Sequence, residues 1–203
     1  MILGHPLIVY CPGCNTPHMQ MNLISGNTFG GVFWSDGCSL SPMLPDIPLF
    51  TRCTSCNLIF SLKRCKQTES EDEEVFKMPV VVQPDINGLA EALTLKVHQS
   101  GQEEIYLRIR LWWALNNRSF SKGENGHHIV DQAYRDNAIR LLNLLDLENK
   151  ENLLTIAELY RNLGEFDKCS KTLSGVTEKH FENHVKQIKD ACNRGLSAVV
   201  RLN

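Results

Sequence analysis

The sequence predicts an α+β fold, in which a small N-terminal β domain precedes an all-α helical bundle. Three observations predict this. Two Cys-x-x-Cys pairs, Cys11–Cys14 and Cys53–Cys56, lie among short segments of alternating apolar residues. An acidic segment follows these pairs. Beyond it, apolar residues recur every three or four positions, as on an α-helix. We therefore predict a β domain at 1–66, a linker at 67–84 and a helical domain at 85–203.

Strand and turn signals fill the first 66 residues. Leu58, Phe60 and Leu62 alternate with other residues just after the second cysteine pair. Aromatic and β-branched residues dominate Thr28–Trp34, and the turn dipeptide Asp36-Gly37 follows. Short strands around two cysteine-bearing turns are therefore expected.

The predicted linker combines two features. Residues 67–74 read QTESEDEE and contain no large apolar side chain, while residues 78–84 are bracketed by prolines. Dense negative charge without apolar residues is typical of a solvated segment. The boundary between the two domains is therefore expected here.

Six segments with helical periodicity follow the linker. Each is marked by apolar residues at i, i+3 or i+4 spacing. The marked segments are Leu89–Val97, Ile105–Trp113, Ala138–Leu145, Leu153–Tyr160, Phe166–Leu173 and Phe181–Ala191. A polar loop is expected at 116–126, and Gly195 is expected to end the last helix. The short connections predict antiparallel packing.

The net charge of the 203-residue chain is −2, and no part of it is strongly basic. In residues 1–66 four basic residues oppose two acidic ones, and residues 67–84 carry five acidic residues against Lys77. This balance argues against a dominant nucleic-acid surface.

Neither a membrane span nor a signal peptide is expected. The longest apolar runs are far shorter than the ~18 residues of a transmembrane helix. Residues 1–10 contain no Lys or Arg ahead of their apolar residues. Eight cysteines in a chain without a secretory signal favour metal ligands and buried thiols over disulfides. We therefore expect a cytoplasmic protein.

The doubled cysteine spacing predicts a structural Zn²⁺ site with the ligands Cys11, Cys14, Cys53 and Cys56. Four thiolates in two i, i+3 pairs can close a tetrahedron and leave no open position for water. Three further residues remain alternative ligands, namely His18, Cys38 and Cys65. A redox role for one pair would require a thioredoxin-like βαβ setting, which the flanking residues do not show.

The glycine- and aromatic-rich segment 25–37 allows two interpretations. Phe29, Phe33 and Trp34 either form a recognition surface or fill the core of the small β domain. We favour the core, since a domain of this size needs its aromatic residues inside. Trp112 and Trp113 point about 100° apart on a helix, so an exposed ring of this pair would be a second candidate contact.

No catalytic constellation emerges, and we expect a non-enzymatic protein. His180 and His184 have helical i, i+4 spacing, but the glutamate of a zinc-protease motif is misplaced by one position. The pair His127-His128 is an equally weak metal signal. An enzymatic function would require a cleft that gathers these histidines or Glu103 and Glu104.

Residues 157–169 resemble the centre of a tetratricopeptide repeat. Ala157 and Cys169 are the small residues that let two helices approach, Gly164 makes the turn, and Tyr160 and Phe166 fill the groove. The other helices do not reproduce this motif at a 34-residue period. We therefore expect a tetratricopeptide-like bundle and not a full solenoid.

The order of three segments also resembles uncharacterised bacterial proteins that pair an N-terminal zinc ribbon with a C-terminal tetratricopeptide-like domain. The segments read FWSDG from residue 33, LRIRLWWALN from residue 107 and LYRNLGEF from residue 159. Residues 7–62 by themselves resemble a zinc ribbon through the paired cysteine spacing in a β context. The resemblance to the bacterial proteins brings no established activity.

These observations predict a zinc-binding protein that contacts other proteins as an adaptor or scaffold. The candidate interaction residues are Phe29, Phe33, Trp34, Trp112 and Trp113. The alternative is a nucleic-acid-binding module in which the basic residues of the β domain contact phosphates and an aromatic ring stacks on a base. Its phosphate-contacting candidates are Arg52, Lys63, Arg64 and Lys66. No membrane contact and no small-molecule substrate are expected.

Overall fold

A computed structural model describes residues 1–120 and 128–202 of the chain. The chain divides into two compact units. The first, here the cysteine unit, comprises Met1–Gly31 and Leu40–Gln99, and the second, here the helical unit, comprises Val32–Ser39 and Ser100–Asn203. The α+β class is confirmed, with small sheets around four cysteines and an all-helical C-terminal region.

The cysteine unit is built from short antiparallel strands in three small sheets. Their bounds are β1 Ile2–Leu3, β2 Leu7–Tyr10, β3 Pro17–Gln20, β4 Leu23–Ser25, β7 Phe50–Arg52, β8 Ile59–Ser61 and β9 Gln67–Glu69. Strand β1 pairs with β4, β2 lies between β3 and β9, and β7 pairs with β8. One helix, α1 at Ile86–Thr94, belongs to the same unit.

The segment predicted as a linker packs on the cysteine unit. Strand β9 lies within it and pairs with β2, with Thr68 opposite Ile8. Further along, Val80 bridges to Met19, and the Thr51 hydroxyl donates to the Val82 carbonyl over 2.9 Å. The reason is that β2 would otherwise have a free edge, and β9 satisfies the backbone groups of that edge despite the acidic side chain of Glu69.

A compact apolar core supports the cysteine unit. It gathers side chains from β2, β8 and the segment after β9 around the first cysteine of each pair. Its buried members are Val9, Cys11, Cys53, Phe60, Leu62 and Val81. None of the three aromatic residues of the 25–37 segment belongs to this core.

The helical unit contains five α-helices and a small sheet within the described residues. The sheet order is β10-β5-β6. The bounds are α2 Gly101–Phe120, α3 Gln132–Leu144, α4 Leu153–Asn162, α5 Phe166–Leu173, α6 Glu182–Asn193, β5 Val32–Trp34, β6 Ser39–Leu40 and β10 Arg201–Leu202. No helix in 1–120 and 128–202 has both the length and the apolarity needed to cross a bilayer.

Helix α2 is longer than predicted. The loop expected at 116–126 begins later, because residues up to Phe120 continue the helix, and residues 121–127 lie outside the described part of the chain. Asn116, which was predicted to lie in the loop, is instead buried within the helix and donates to Asp36 Oδ2 over 2.8 Å.

Helices α4 and α5 form the predicted hairpin. Gly164 has a φ of +80° in the turn between them, a conformation that glycine adopts without strain. Ala157 and Cys169 are both fully buried and lie in one apolar cluster with Ile188 of α6. Small side chains at these positions allow the close approach of the helices that the sequence predicts.

Candidate metal centre

Each Cys-x-x-Cys pair forms the turn of a β-hairpin. The first lies between β2 and β3, and the second between β7 and β8. The Cys11 N–H donates to the Thr16 carbonyl over 3.0 Å, and the Cys53 N–H donates to the Leu58 carbonyl over 2.9 Å. The two turns therefore close with the same i to i+5 bond.

The hydrogen bonds to sulfur also match between the two turns. Gly13 N–H lies 3.4 Å from the Cys11 sulfur, and Ser55 N–H lies 3.4 Å from the Cys53 sulfur. These donors stabilise negative charge on the first sulfur of each pair. The repeated geometry indicates two copies of one ligand-bearing turn.

An asparagine follows each cysteine pair, and the structure gives the reason. Asn15 and Asn57 have φ of 60° and 61°, in the left-handed region that asparagine tolerates better than most residues. Their N–H groups donate to the Cys11 and Cys53 carbonyls over 2.8 and 3.1 Å. The repeated sequence Cys-x-x-Cys-Asn is thus the signal for these turns, and our sequence analysis did not use it.

The two turns bring four sulfur atoms together. All four lie within 4.8 Å of one another, and the cross-pair distances are 3.6 Å for Cys11–Cys56 and 3.5 Å for Cys14–Cys53. All four cysteines are free thiols. Four sulfur donors at this separation can bind a metal ion.

The electrostatics of the cluster favour a cation. Hydrogen bonds from the Thr16 hydroxyl and N–H lower the pKa of Cys14 to about 6. At Cys56 the Leu58 N–H lowers the pKa, but the thiol of Cys14 and the loss of solvation prevail and raise it to about 12. Close packing therefore opposes ionisation of the whole cluster, and a divalent cation would remove that penalty.

His18, an alternative ligand in the sequence analysis, joins the two turns instead. Its side chain is fully buried, and the Thr54 N–H donates to His18 Nε2 over 3.3 Å. Because Nε2 accepts, Nδ1 carries the proton and donates to the Thr16 carbonyl over 3.1 Å. The imidazole is thus a positioning group between the turns and lies outside the four-sulfur cluster.

The other two alternative ligands also lie outside the cluster. The Cys65 thiol donates to the Leu62 carbonyl over 3.1 Å, and its burial raises its pKa. Cys38 follows the turn after β5 and belongs to the helical unit. In the described part of the chain, His180 and His184 join no cluster of metal-binding groups either, and His127 is outside the described residues.

Exposure separates the five candidate interaction residues. Phe29 is 87% exposed, and Phe33 is 38% exposed. The preferred core interpretation of segment 25–37 is therefore wrong for Phe29. Trp34 is half-buried in β5, where it pairs with Arg201 of the helical unit.

The two tryptophans of α2 are anchored by their ring nitrogens. Trp112 is 1% exposed and donates to the Tyr134 hydroxyl over 2.8 Å, so it offers no contact surface. Trp113 is half-buried, donates to the Asp36 carbonyl over 2.8 Å and stacks near Arg110. The helix is packed on two sides, which is the arrangement that adjacent tryptophans require.

The FWSDG segment is anchored in the helical unit by buried polar groups. The Ser35 hydroxyl donates to Glu158 Oε1 over 2.6 Å and accepts from the Val200 N–H over 3.0 Å. Asp36 is 6% exposed and accepts from Asn116 Nδ2 over 2.8 Å and from the Cys38 N–H over 3.0 Å. Burial raises the pKa of Asp36 to about 6. These polar side chains stabilise the helical unit, and their burial was not predicted from the sequence.

The three segments quoted for the family resemblance meet in this network. Asn116 accepts from the Tyr134 hydroxyl over 2.8 Å, and Trp112 also donates to Asn162 Oδ1 over 3.1 Å. Asn162 in turn donates to the Ser197 carbonyl over 2.8 Å. The segments FWSDG, LRIRLWWALN and LYRNLGEF of this chain thus contribute to one buried hydrogen-bonded network in the helical unit.

Three of the four basic candidates contact groups within the cysteine unit. Arg52 pairs with Glu91 over 2.6 Å, Arg64 donates to the Val97 carbonyl over 2.8 Å, and Lys66 lies 5.0 Å from the centre of the Tyr10 ring. Such contacts occupy the side chains proposed to bind phosphates.

Most exposed apolar side chains lie in the cysteine unit. Among the described residues, the helical unit exposes only Phe33, Ile139 and Leu147 of this class. The cysteine unit concentrates them around β1 and β4. We define the exposed apolar face as Ile2, Leu3, Ile24, Met43 and Leu44, which are 59%, 46%, 66%, 38% and 41% exposed.

The three segments that carry this face lie next to one another. Strands β1 and β4 pair, with Leu3 opposite Leu23, and Ile24 occupies a bulge in the register. A Cβ at Gly26 would lie 2.2 Å from the Met43 carbonyl oxygen and 2.9 Å from the Leu44 side chain. Glycine at this position therefore lets the 43–44 segment lie directly against the end of β4.

Comparisons with models of known protein families, with curated proteins and with solved structures gave no match. The class of the protein rests on its own features, namely a four-cysteine cluster on small β-sheets and a C-terminal all-helical region.

Proposed function

We propose that this chain is a zinc-binding, non-enzymatic protein that contacts another protein through the exposed apolar face of its cysteine unit. The observation that carries the proposal is the concentration of exposed apolar side chains on β1, β4 and the 43–44 segment. Exposed apolar side chains that cluster mark interaction sites, whereas singly scattered ones are ordinary.

Zinc fits the four-cysteine cluster by chemistry and by size. An all-thiolate donor set in two i, i+3 pairs favours Zn²⁺ over the hard cations Mg²⁺ and Ca²⁺. Zn–S bonds of about 2.3 Å in a tetrahedron separate the sulfurs by about 3.8 Å, close to the 3.5 and 3.6 Å seen here. With four protein ligands the metal has no position for substrate, so its role is structural.

The metal site and the exposed apolar face belong to the same unit, so a bound metal would stabilise the fold that carries the face. Small β-sheets with a core of few residues gain folding free energy from a bound structural metal. The zinc site would thereby hold β2, β3, β7 and β8 in place, and the exposed apolar face could remain free for a partner. The helical unit, interpreted as tetratricopeptide-like, would serve as a second module of the scaffold.

A capture experiment tests the contact surface. Ile24→Lys places a charge on the face, whereas Ile139→Lys places the same charge on α3 at a residue that is 51% exposed. Tagged full-length protein should retain specific protein partners, Ile24→Lys should lose them, and Ile139→Lys should keep them. Equal capture by both variants, or no specific partner with any of the three, would contradict the proposal.

A further inference from the structure

We propose that a basic groove on the helical unit binds the phosphate backbone of a single-stranded nucleic acid. The groove lies along α6 and reaches the residues where β10 begins. It belongs to the helical unit, so this inference goes beyond the protein contact proposed for the cysteine unit. Its basic residues also differ from the four of the β domain that were predicted to contact phosphates.

Positive charge dominates the basic groove. One of the residues that line it, Asp190, is acidic, and four are basic. The basic residues are Lys186, Lys189, Arg194 and Arg201. Four positive charges against one negative charge leave a local net charge of +3, in a chain whose net charge is −2. A concave surface lined by one sign of charge focuses the electrostatic potential and concentrates ions of the opposite sign.

Three of these four cations have no counter-charge in the protein. Arg194 pairs with Asp190 over 3.5 Å. In the described part of the chain, Lys186, Lys189 and Arg201 are exposed and form no ion pair. Glu182 lies one turn before Lys186, at a spacing that favours a pair, but the two do not pair. Single unpaired lysines are ordinary, whereas three unpaired cations on one concave surface favour an anionic ligand.

The shape of the groove fits a linear ligand. Its volume is about 820 Å³, and α6 forms one wall with the side opposite the buried Ile188. With a rise of about 1.5 Å per residue, Lys186 and Arg194 lie about 12 Å apart along the helix axis. Cations spread over this length can contact successive phosphates of a strand, whereas a small anion would occupy only part of the groove.

An aromatic ring accompanies the groove. Arg201 in β10 is directly opposite Trp34 in the neighbouring strand β5. Because opposed residues of an antiparallel pair point to the same face of the sheet, the Trp34 ring shares the face of the Arg201 side chain. Trp34 is half-buried, so part of it is open to solvent. Proteins that bind single strands combine a basic groove with aromatic rings on which bases stack.

Two other anionic partners fit this surface less well. A helix that binds an anionic membrane carries large apolar side chains beside its basic ones, and the apolar residues that line this groove are Ala191 and Val200. An acidic peptide would satisfy the cations but has no base to stack on Trp34. The nucleic acid uses both the charge and the ring.

Fluorescence anisotropy of the full, zinc-loaded chain with a labelled oligo(dT) of about 20 nucleotides tests the proposal, since this length exceeds the usual site size of a single-strand-binding domain. Three phosphates neutralised by the unpaired cations predict a slope of about −2 for the logarithm of the binding constant against the logarithm of salt concentration. Binding should therefore weaken about 20-fold between about 50 and 200 mM salt.

A matched pair of double variants locates the site. Lys186→Gln with Lys189→Gln removes two exposed cations from the groove and should weaken binding at least about tenfold at low salt, with a shallower salt slope. Lys168→Gln with Lys171→Gln removes two exposed cations at the same i, i+3 spacing on α5. This control should keep the wild-type affinity and slope. Circular dichroism should be unchanged in both.

Three further probes separate the kinds of anion. An abasic strand of the same length should bind at least about fivefold more weakly than oligo(dT), because it keeps the phosphates and loses the stacked bases. Polyglutamate should compete poorly for the same reason. Phosphatidylserine vesicles should retain the chain no better than phosphatidylcholine vesicles.

Several outcomes would overturn the inference. They are no binding of oligo(dT) by the wild type at low salt, equal weakening by the two double variants, and equal affinity for the abasic strand. Retention on phosphatidylserine vesicles that depends on Lys186 and Lys189 would assign the groove to a membrane instead. None of these results bears on the exposed apolar face, which Ile24→Lys tests in the other unit.

Discussion

Glu158 and Arg161 form an ion pair in which neither side chain is exposed to solvent. Arg161 Nε donates to Glu158 Oε2 over 2.8 Å, and Arg161 also donates to the carbonyls of Leu196 and Ala198. The pair therefore connects α4 to the chain segment that precedes β10. Burial of both charges is stable because each one is hydrogen-bonded on several sides.

Removing one partner of this pair should destabilise the helical unit strongly. Arg161→Met leaves the Glu158 carboxylate buried without its counter-charge, and we expect a loss of about 3–5 kcal/mol in the free energy of unfolding. Guanidinium unfolding followed by tryptophan fluorescence measures it, since Trp112 lies in the same network. Asp190→Asn breaks an exposed pair with Arg194 and should cost at most about 1 kcal/mol. A similarly small cost for Arg161→Met would contradict this role.

Metal binding should require the four clustered cysteines and not Cys65. Cys11→Ser removes one ligand from the cluster, whereas Cys65→Ser removes a thiol that bonds the Leu62 carbonyl. Elemental analysis should find about one zinc per chain in the wild type and in Cys65→Ser, and a large loss in Cys11→Ser. Chelation should also release zinc and unfold the cysteine unit, as loss of native amide signals would show. A metal-free wild-type protein, purified without chelators, would refute the site.

His18 should control how tightly the site holds its metal without being a ligand. His18→Ala removes the hydrogen bond from the Thr54 N–H that joins the two turns, together with the local bond to the Thr16 carbonyl, so we expect zinc transfer to a chromogenic chelator to be about 10–100 times faster. The zinc content at saturation should stay at one per chain, because the four sulfurs remain. His5→Ala is the matched control, since His5 is largely exposed beside Glu71. A lower zinc content at saturation would instead indicate that the imidazole binds the metal.

Asp36 should make the helical unit less stable as the pH rises from 4 to 6. Its folded-state pKa of about 6 lies above the ordinary value of 3.8, mainly because burial opposes the charge. The folded state therefore binds more protons than the unfolded state in this window, and deprotonation favours unfolding. The shift of about two pKa units corresponds to a difference on the order of 3 kcal/mol.

The variant Asp36→Asn isolates this effect. Its side chain stays neutral, so the difference in unfolding free energy between wild type and variant should change with pH between 4 and 6 and level off above pH 6. Groups that are common to the two proteins largely cancel in this difference. A difference that is independent of pH would show that Asp36 keeps its ordinary pKa in the folded protein.

The sequence predicted helices and turns well where patterns of residues close in the chain determine them. Helical periodicity located α1, α4, α5 and α6 to within a few residues, although α3 begins at Gln132, six residues before the predicted Ala138, and Gly164 gave the turn of the α4–α5 hairpin. The spacing of the cysteines located the four-sulfur cluster, because two tight turns with i, i+3 sulfurs can meet around one ion. These features depend on residues that are close in the chain.

Predictions that depended on distant partners were less complete. Residues 67–69 look like solvated chain, yet they complete a sheet because β2 has an edge that needs a partner. Segment 25–37 looks like one insertion, yet Phe29 is exposed in the cysteine unit while Ser35 and Asp36 are buried in the helical unit. Their composition alone does not reveal either outcome.

The sequence by itself determined that this protein has a four-cysteine β domain and a helical domain, since cysteine spacing and apolar periodicity are local properties. The tertiary structure decided which polar residues are buried and which apolar residues are exposed. Ser35, Glu158 and Arg161 are inside because each satisfies the hydrogen bonds of the others, and Ile24 is outside although it is apolar. Burial depends on contacts between residues far apart in the chain, and those contacts exist only in the folded protein.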